Sequence, residues 1–453
     1  MSVVTKESRA WLLLLLGLAL VHGLVYAAVI PPWQGPDETG HFEYAWLLAR
    51  LARIPTKDDL YAPLEQEMLA SLYEWRYGEF IGRPLPARMP TRMEGLPKSV
   101  FAYYTRPVTI ERFSLAYLWQ ALYLLPFRYQ DLVFQLYVAR LSSIVLNVGI
   151  VWLAFLTLCQ LFPSHPNLIA LATSIVVFLP QHTFINSMVG EGPLAELMSC
   201  LVLYCWVSIF RQGLTPWRVV AIVLGTLIGV WSKNTVAFLI PVDIGLALWW
   251  LWRQARQTWT WREVIYLCTG LVLLGLGLWI WSRSVLGIRS LSALELLASL
   301  KPAWKDTQGT SLGAGLLLTY DSFWANFGWM ALPIGERWYG AVMVLSLLSL
   351  VGWGTKTRDG EPVPSWALGI MAGSFLAAAL FFVVGGLLIQ SYYWIQGRYL
   401  FPVTIPYSFL LIGGLDRLLH LRSNRATLLA VVLFLIVLDS WCLFGVIIPY
   451  YYA

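Results

Sequence analysis

Apolar residues recur in blocks of roughly 18 to 24 along this chain, each closed by a short polar break; as helix, that length crosses a hydrocarbon core of about 30 Å. The pattern predicts spans at roughly 11–30, 132–160, 165–182, 193–211, 217–232, 235–253, 264–284, 338–354, 366–388, 398–415 and 427–447. The expected fold is an all-α polytopic membrane protein of about 11 transmembrane helices, with 1–453 as a single membrane domain. The first block starts after Lys6, Glu7 and Arg9 and leaves through Pro31-Pro32-Trp33 rather than a small-residue cleavage site. It reads as a retained helix, not a signal peptide.

Two long stretches interrupt the pattern, 31–131 and 285–337. Within the first, Asp37 to Arg53 predicts an amphipathic helix with Phe42, Trp46, Ala49 and Leu51 available for its apolar side. Ser114 to Phe127 predicts a second interfacial or re-entrant helix, too short to span. The run through Arg83, Pro84, Pro86, Arg88, Pro90, Arg92 and Pro97 reads as an ordered loop lying over the membrane.

Charge orients these elements. Only 12% of residues are charged, where a soluble domain carries about a quarter. With a cytoplasmic N-terminus, Lys6/Arg9, Arg211/Arg218, Arg253/Arg256/Arg262, Lys356/Arg358 and Arg417/Arg422/Arg425 all fall in short cytoplasmic segments. The short opposite loops hold only Lys233 and Arg398, at span edges. That asymmetry is the positive-inside rule, and it places both long stretches on the extracytoplasmic side of a plasma (inner) membrane. It also accounts for the formal charge of +6 without a nucleic-acid partner. The five cysteines all lie in apolar runs without ligand spacing and read as packing residues.

Once the chain is oriented, scattered polar residues converge on the outer side: Asp37, Glu38 and His41; Asn186 and Glu191; Lys233 and Asn234; Tyr320, Asp321 and Trp324; and Gln396 to Tyr399. Ionisable groups at membrane depth are costly, so a set gathered at one face suggests a site. Asp37 and Glu38 begin a predicted helix, where the dipole stabilises carboxylates, and Asp37 and His41 share a face at i and i+4. A carboxylate beside a His serves as a general base or as half of a divalent-cation site (Mg or Mn); the plain alternative is a helix N-cap. Arg398, after Gln396-Gly397, has the planar fork that holds a phosphate, with interfacial snorkelling as its alternative, and Lys233 is a similar case. Gly397 would let backbone approach a ligand closely. Glu196 sits one turn into a span and could face the site, and Arg140 in the second span could answer one of the acids. Asp243 and Asp439 read as partners for other helices, while His22, His165, His182 and His420 show no ligand spacing.

Three ordered segments then carry a resemblance: Pro31-Pro32-Trp33-Gln34-Gly35-Pro36-Asp37-Glu38-Thr39-Gly40-His41, Phe323-Trp324-Ala325-Asn326-Phe327-Gly328-Trp329, and Gln396-Gly397-Arg398-Tyr399-Leu400-Phe401-Pro402. Together they resemble a bacterial branch of GT-C class multi-pass membrane glycosyltransferases, one classed mainly as predicted membrane proteins of unknown function. The resemblance implies GT-C-like architecture and transfer of a sugar from a polyprenyl-phosphate donor to an extracytoplasmic glycan, lipid or protein acceptor. It implies Asp37 as general base in an inverting displacement, with Glu38 and His41 positioning it or the acceptor. Arg398 would meet the donor phosphate, with Lys233 or Arg337, and Gln396, Tyr399, Glu191, Trp324 and Asp321 complete the expected substrate site. One departure stands out: the branch usually carries an Asp that falls on Gly192 here, with Glu191 one position early. Two other readings stay open, a lipid or glycan transporter or flippase and a non-catalytic subunit of a membrane assembly.

Overall fold

The computed structural model describes residues 6–56, 62–92, 113–254, 261–285, 312–355, 363–389 and 396–453, with 59, 95 and 96. Pro97, Arg256, Lys356, Arg358 and the 286–311 part of the second long stretch lie outside those residues. The described chain is almost wholly helical: α1 (Lys6–Val29), α2 (Glu38–Leu51), α3 (Ala62–Glu74), α4 (Tyr77–Phe80), α5 (Leu115–Leu124), α6 (Leu132–Leu161), α7 (Pro166–Phe178), α8 (Pro180–Asn186) and α9 (Gly192–Gln212). They are followed by α10 (Pro216–Ser232), α11 (Leu239–Gln254), α12 (Trp261–Val285), α13 (Leu312–Trp324), α14 (Glu336–Gly354), α15 (Ser365–Ile389), α16 (Thr404–Leu419), α17 (Arg425–Ser440) and α18 (Ile448–Tyr452). A two-residue antiparallel pairing of β1 (Asn326–Phe327) with β2 (Leu332–Pro333) closes the turn after α13.

Eight of the helical segments are long and apolar enough to cross a membrane among the described residues, and a ninth span results if α7 and α8 count as one segment bent by 59°. The bend has a local cause. Leu179 precedes Pro180, whose ring excludes the α-region for the residue before it, so α7 stops and α8 restarts with proline in its first turn. Helix α10 has 17 residues, below the length of a comfortable span.

Burial sorts the helices. The most apolar window of 397–419 is 83% buried, against 17% for that of 261–280. The α16 segment is therefore central, whereas α12 presents Ile265, Val272, Leu273, Leu276 and Trp279 outward, as a lipid-facing helix must. Helix α6 packs against α1, α5, α7 and α9; α9 packs on α10, and α16 on α14, α7 and α15. Four of the cysteines are buried and unpaired, as packing residues would be, while Cys268 on α12 is exposed.

Within the 31–131 stretch, the helices form a packed core of their own. Helix α2 is buried on nearly every side, its polar positions Glu38, Thr39 and Glu43 included. It joins α3, α5 and the first turns of α6 in a second hydrophobic core around Trp33, Phe42, Trp46, Leu69, Leu72, Tyr117 and Leu136. An amphipathic pattern alone could not anticipate this, because the far side of α2 is covered by α5 rather than by water. Helix α5 is a shorter apolar helix that does not reach the length of a span. Ser114 caps it by accepting from the Ala116 N–H at 3.2 Å and donates to the Ser232 carbonyl at 2.8 Å, while Leu118 and Leu122 face outward.

Candidate functional site

The site begins with a buried clasp. Arg140, in α6, is fully buried and uses all five of its N–H groups. Its Nε donates to Glu38 Oε1 at 2.8 Å and its Nη2 to Glu38 Oε2 at 2.7 Å. The others reach the carbonyls of Ala27 (2.9 Å), Ile30 (2.6 Å) and Pro31 (2.9 Å). These carbonyls lie at the C-terminal end of α1, where backbone acceptors lack helical partners and a cation complements the dipole. The Glu38 carboxylate is equally committed, accepting also from Gly35 N–H at 3.3 Å and Val189 N–H at 3.2 Å. One ion pair thus ties α1, the Pro31–Asp37 turn, α2, α6 and the segment before α9. Arg140 does answer one of the acids. Glu38, with every acceptor used inside the protein, holds the turn rather than touching a substrate.

That clasp fixes Asp37, its neighbour. Asp37 sits at the N-cap of α2 in the left-handed region (φ 60°, ψ 13°), and its side chain caps nothing. The carboxylate instead meets Arg398 Nη2 at 3.2 Å, across 361 positions of sequence. Both side chains are partly exposed, 28% for Asp37 and 15% for Arg398, so the pair lines an accessible recess. Arg398 keeps its buried Nε without a hydrogen-bond partner. Gly35 allows the turn to close: a Cβ there would lie 2.9 Å from Met188.

Around this pair stand His41, Tyr117, Glu191, Lys233 and Tyr399. His41 Nδ1 lies 2.7 Å from the Tyr117 hydroxyl, and burial holds the imidazole below its usual pKa against the opposing pull of Glu191 and Asp37. His41 is therefore neutral near pH 7. The Lys233 Nζ and the Arg398 guanidinium both lie over the Tyr399 ring, 5.2 and 5.4 Å from its centroid, which keeps two cations side by side. Burial, then the neighbouring Arg398, pushes the Lys233 ammonium down to about 8, while Glu191 and Asp37 pull the other way. Glu191 precedes α9 and acts on both His41 and Lys233. A side chain at Gly192 would point at Lys233 as well, since a Cβ there would lie 3.9 Å from Nζ.

Other expected members are placed differently. Trp324 is fully buried and packs edge-on against Tyr407 and Phe323, so it serves the core rather than a sugar ring. Gly397 does not face a ligand either. Its N–H donates to Ser322 Oγ at 2.8 Å, and a Cβ would fall 2.0 Å from the Phe323 backbone nitrogen, so glycine is required for α13 to approach. Asp321 is half-buried on α13, with its carboxyl raised by burial. Arg337 is exposed in the first turn of α14, and the interactions tying the cluster together among the described residues do not reach it. Gln396 caps the turn of Gly397–Val403, its carbonyl accepting from Tyr399 N–H at 3.0 Å.

Two contributors escaped the sequence reading. Helix α5 supplies Tyr117 to His41, and Gln120, whose amide donates to the Gly190 carbonyl at 2.8 Å. Their sequence signal is weak, since Tyr117 and Gln120 share a largely apolar helix with Trp119 and Tyr123, which are polar-tipped as well. His182 lies 2.8 Å from Glu196 through its Nε2, and Asn186 donates to the other Glu196 oxygen at 3.0 Å, a buried group whose carboxylate also acts on Lys233. The kink at Pro180 brings His182 there, which no linear spacing records. Asp243 and Asp439 are structural ties, as expected. Asp243 accepts from Trp206 (2.7 Å) and Thr226 (2.6 Å), and Asp439 accepts from Tyr26 (2.8 Å) and meets His22 (2.8 Å).

No group of three His, Cys, Asp or Glu side chains suited to a metal ion occurs among the described residues. Asp37 is paired with Arg398, Glu38 with Arg140, and His41 Nδ1 with Tyr117. Compared with protein-family models, with curated proteins and with solved structures, the chain finds no match.

Proposed function

We propose that this protein is a membrane glycosyltransferase of GT-C type, with about eleven transmembrane helices and an extracytoplasmic active face, moving a sugar from a polyprenyl-phosphate donor to an acceptor hydroxyl. The observation that carries the reading is the recess in which Asp37 faces Arg398 at 3.2 Å with Lys233 beside it. A carboxylate and two cations meeting at one end of a helix bundle is the charge pattern that displacement of a phosphate ester requires.

In this reading the donor phosphate takes the Arg398 guanidinium and the Lys233 ammonium, which releases Asp37 from its ion pair. Asp37 accepts the proton of the acceptor hydroxyl as that oxygen bonds to the anomeric carbon. The bond from that carbon to the phosphate oxygen breaks, and polyprenyl phosphate leaves with the electron pair. Attack opposite the leaving group inverts the configuration. His41, neutral and oriented by Tyr117, positions the acceptor, and Glu191 takes the place of the acid expected at Gly192.

The broken helix α7–α8 beside the buried Glu196 group supports one competing reading, a flippase, because transporters build midplane sites from discontinuous helices. The deciding experiment supplies proteoliposomes with a panel of polyprenyl-phosphate sugars and envelope extract, and follows the lipid by mass spectrometry. Transfer predicts loss of the sugar from the lipid, falling about 10- to 100-fold in Arg398→Lys, where a point charge replaces the planar fork. A flippase predicts a moved but chemically intact donor.

Lys233 adds a pH signature. Its charge is present below about 8 and lost above it, so donor affinity falls by about tenfold between pH 7 and 9. Lys233→Arg removes that alkaline limb, as a pH series of donor KM would record.

A further inference from the structure

His41 follows Asp37 by one helical turn, its N–H donating to the Asp37 carbonyl at 3.1 Å. Its ring stands among the charges of Glu191, Asp37, Lys233 and Arg398. The hydroxyl of buried Tyr117 lies 2.7 Å from His41 Nδ1 and also hydrogen-bonds the Glu191 carboxylate. Proton bookkeeping on these three groups has one solution. Burial, then the charge of Glu191, holds the Tyr117 phenol well above its usual pKa, so it keeps its proton. A carboxylate accepts, so the phenol spends that one proton on Glu191 and its oxygen is left to accept. Nδ1 of the neutral imidazole must then carry the ring proton, which leaves Nε2 a bare lone pair. Nε2 points from the far side of the ring and takes no hydrogen bond among the described residues. The side chain it belongs to is half-buried rather than sealed.

We infer, resting on the transferase reading above, that His41 Nε2 is a second hydroxyl-binding atom beside Asp37, and that the acceptor is a sugar with two neighbouring free hydroxyls. The recess divides by hydrogen-bonding sense. Arg398 and Lys233 offer only donors, which suit the donor phosphate. Asp37 and His41 Nε2, one turn apart at the start of α2, offer acceptors, which suit hydroxyls. A lone alcohol, such as a serine side chain or a simple lipid hydroxyl, would satisfy Asp37 and leave Nε2 unpaired. A sugar ring presents a second hydroxyl on the next carbon, so a single ring fills both. A site built to bind a hydroxyl rejects the analogue that lacks it, because its own polar atom is then left without a partner. Tyr117 and Glu191 are positioning residues in this arrangement. They act through His41, by holding its proton on Nδ1.

The test uses the purified full chain in two arms. The first needs no substrate: isotope-labelled histidine reads the ring tautomer by NMR, and the His41 signal is the one lost in His41→Gln. The expected result is a proton on Nδ1 in wild type and its redistribution to Nε2 in Tyr117→Phe. A wild-type proton on Nε2 overturns the inference, whatever the activity. The second arm gives proteoliposomes the polyprenyl-phosphate sugars with envelope extract oxidised by periodate, which cleaves the bond between carbons bearing neighbouring hydroxyls. The periodate is quenched before the donor is added. Transfer that falls at least about tenfold on oxidation supports the inference, and Tyr117→Phe should raise the apparent KM for untreated extract about tenfold at unchanged donor KM. Undiminished transfer to oxidised extract, or an extract KM that Tyr117→Phe leaves alone, overturns it while the transferase reading stands. A wild type that consumes no donor with untreated extract overturns both. The oxidation comparison needs no variant to fold.

Discussion

Asp37→Asn is expected to reduce sugar transfer by about 10²- to 10⁴-fold, the range for loss of a positioned general base, while the folded protein accumulates at wild-type level. Two features make this substitution informative. Asp37 holds a left-handed backbone conformation, and asparagine is among the few residues that adopt it readily, so the turn survives the exchange. The asparagine amide oxygen can still accept from Arg398 Nη2, so the contact itself survives the exchange. Loss of transfer at constant yield and constant thermal midpoint therefore isolates chemistry from folding. Transfer at the wild-type rate would remove Asp37 as the base. A parallel fall in yield would assign it to the fold. Donor affinity supplies a further readout. On the proposed reading, Arg398 freed from its carboxylate partner would hold the donor phosphate at least as tightly, so kcat is expected to fall without a rise in KM.

Arg140→Leu is expected to be the most destabilising single substitution near the recess, at about 3–5 kcal/mol, enough to deplete folded protein from the membrane. It strands the Glu38 charge in a fully buried position and leaves the Ala27, Ile30 and Pro31 carbonyls without their donor. Glu38→Gln is expected to cost less, because the amide oxygen still accepts from the clasp and the three carbonyl bonds remain. The double variant Glu38→Gln/Arg140→Gln should recover part of the loss, since it leaves no buried charge. Monodisperse yield and the thermal midpoint of the four proteins form the measurement. If Arg140→Leu and Glu38→Gln were equally mild, Asp37 would have to be held by something other than this clasp.

The comparison of sequence with structure divides along physical lines. Membrane insertion is a local property, because each span must satisfy its own backbone hydrogen bonds and bury its own apolar length. Runs such as 132–160 and 366–388 were therefore legible as helices. Two regions of the site were visible for a similar reason: charged residues at span edges are rare and costly, so Asp37 and Arg398 stood out singly. Whether they meet was not a local matter. The 3.2 Å approach of Asp37 to Arg398 joins the end of the first span to the start of a late one. The partner of Glu38, the orientation of His41 by Tyr117 and the burial of Trp324 depend in the same way on which helices pack together. The amphipathic pattern of α2 described one helix face, but α5 covers the other, so a helix read as having one apolar side is buried on nearly every side. By itself the sequence determined a helical membrane protein with acids and bases held at span ends, because hydrophobic length and charge cost act residue by residue. Only the tertiary structure decided that Glu38 is spent on the fold while Asp37 faces the recess, because that division is made by side chains far apart in the chain.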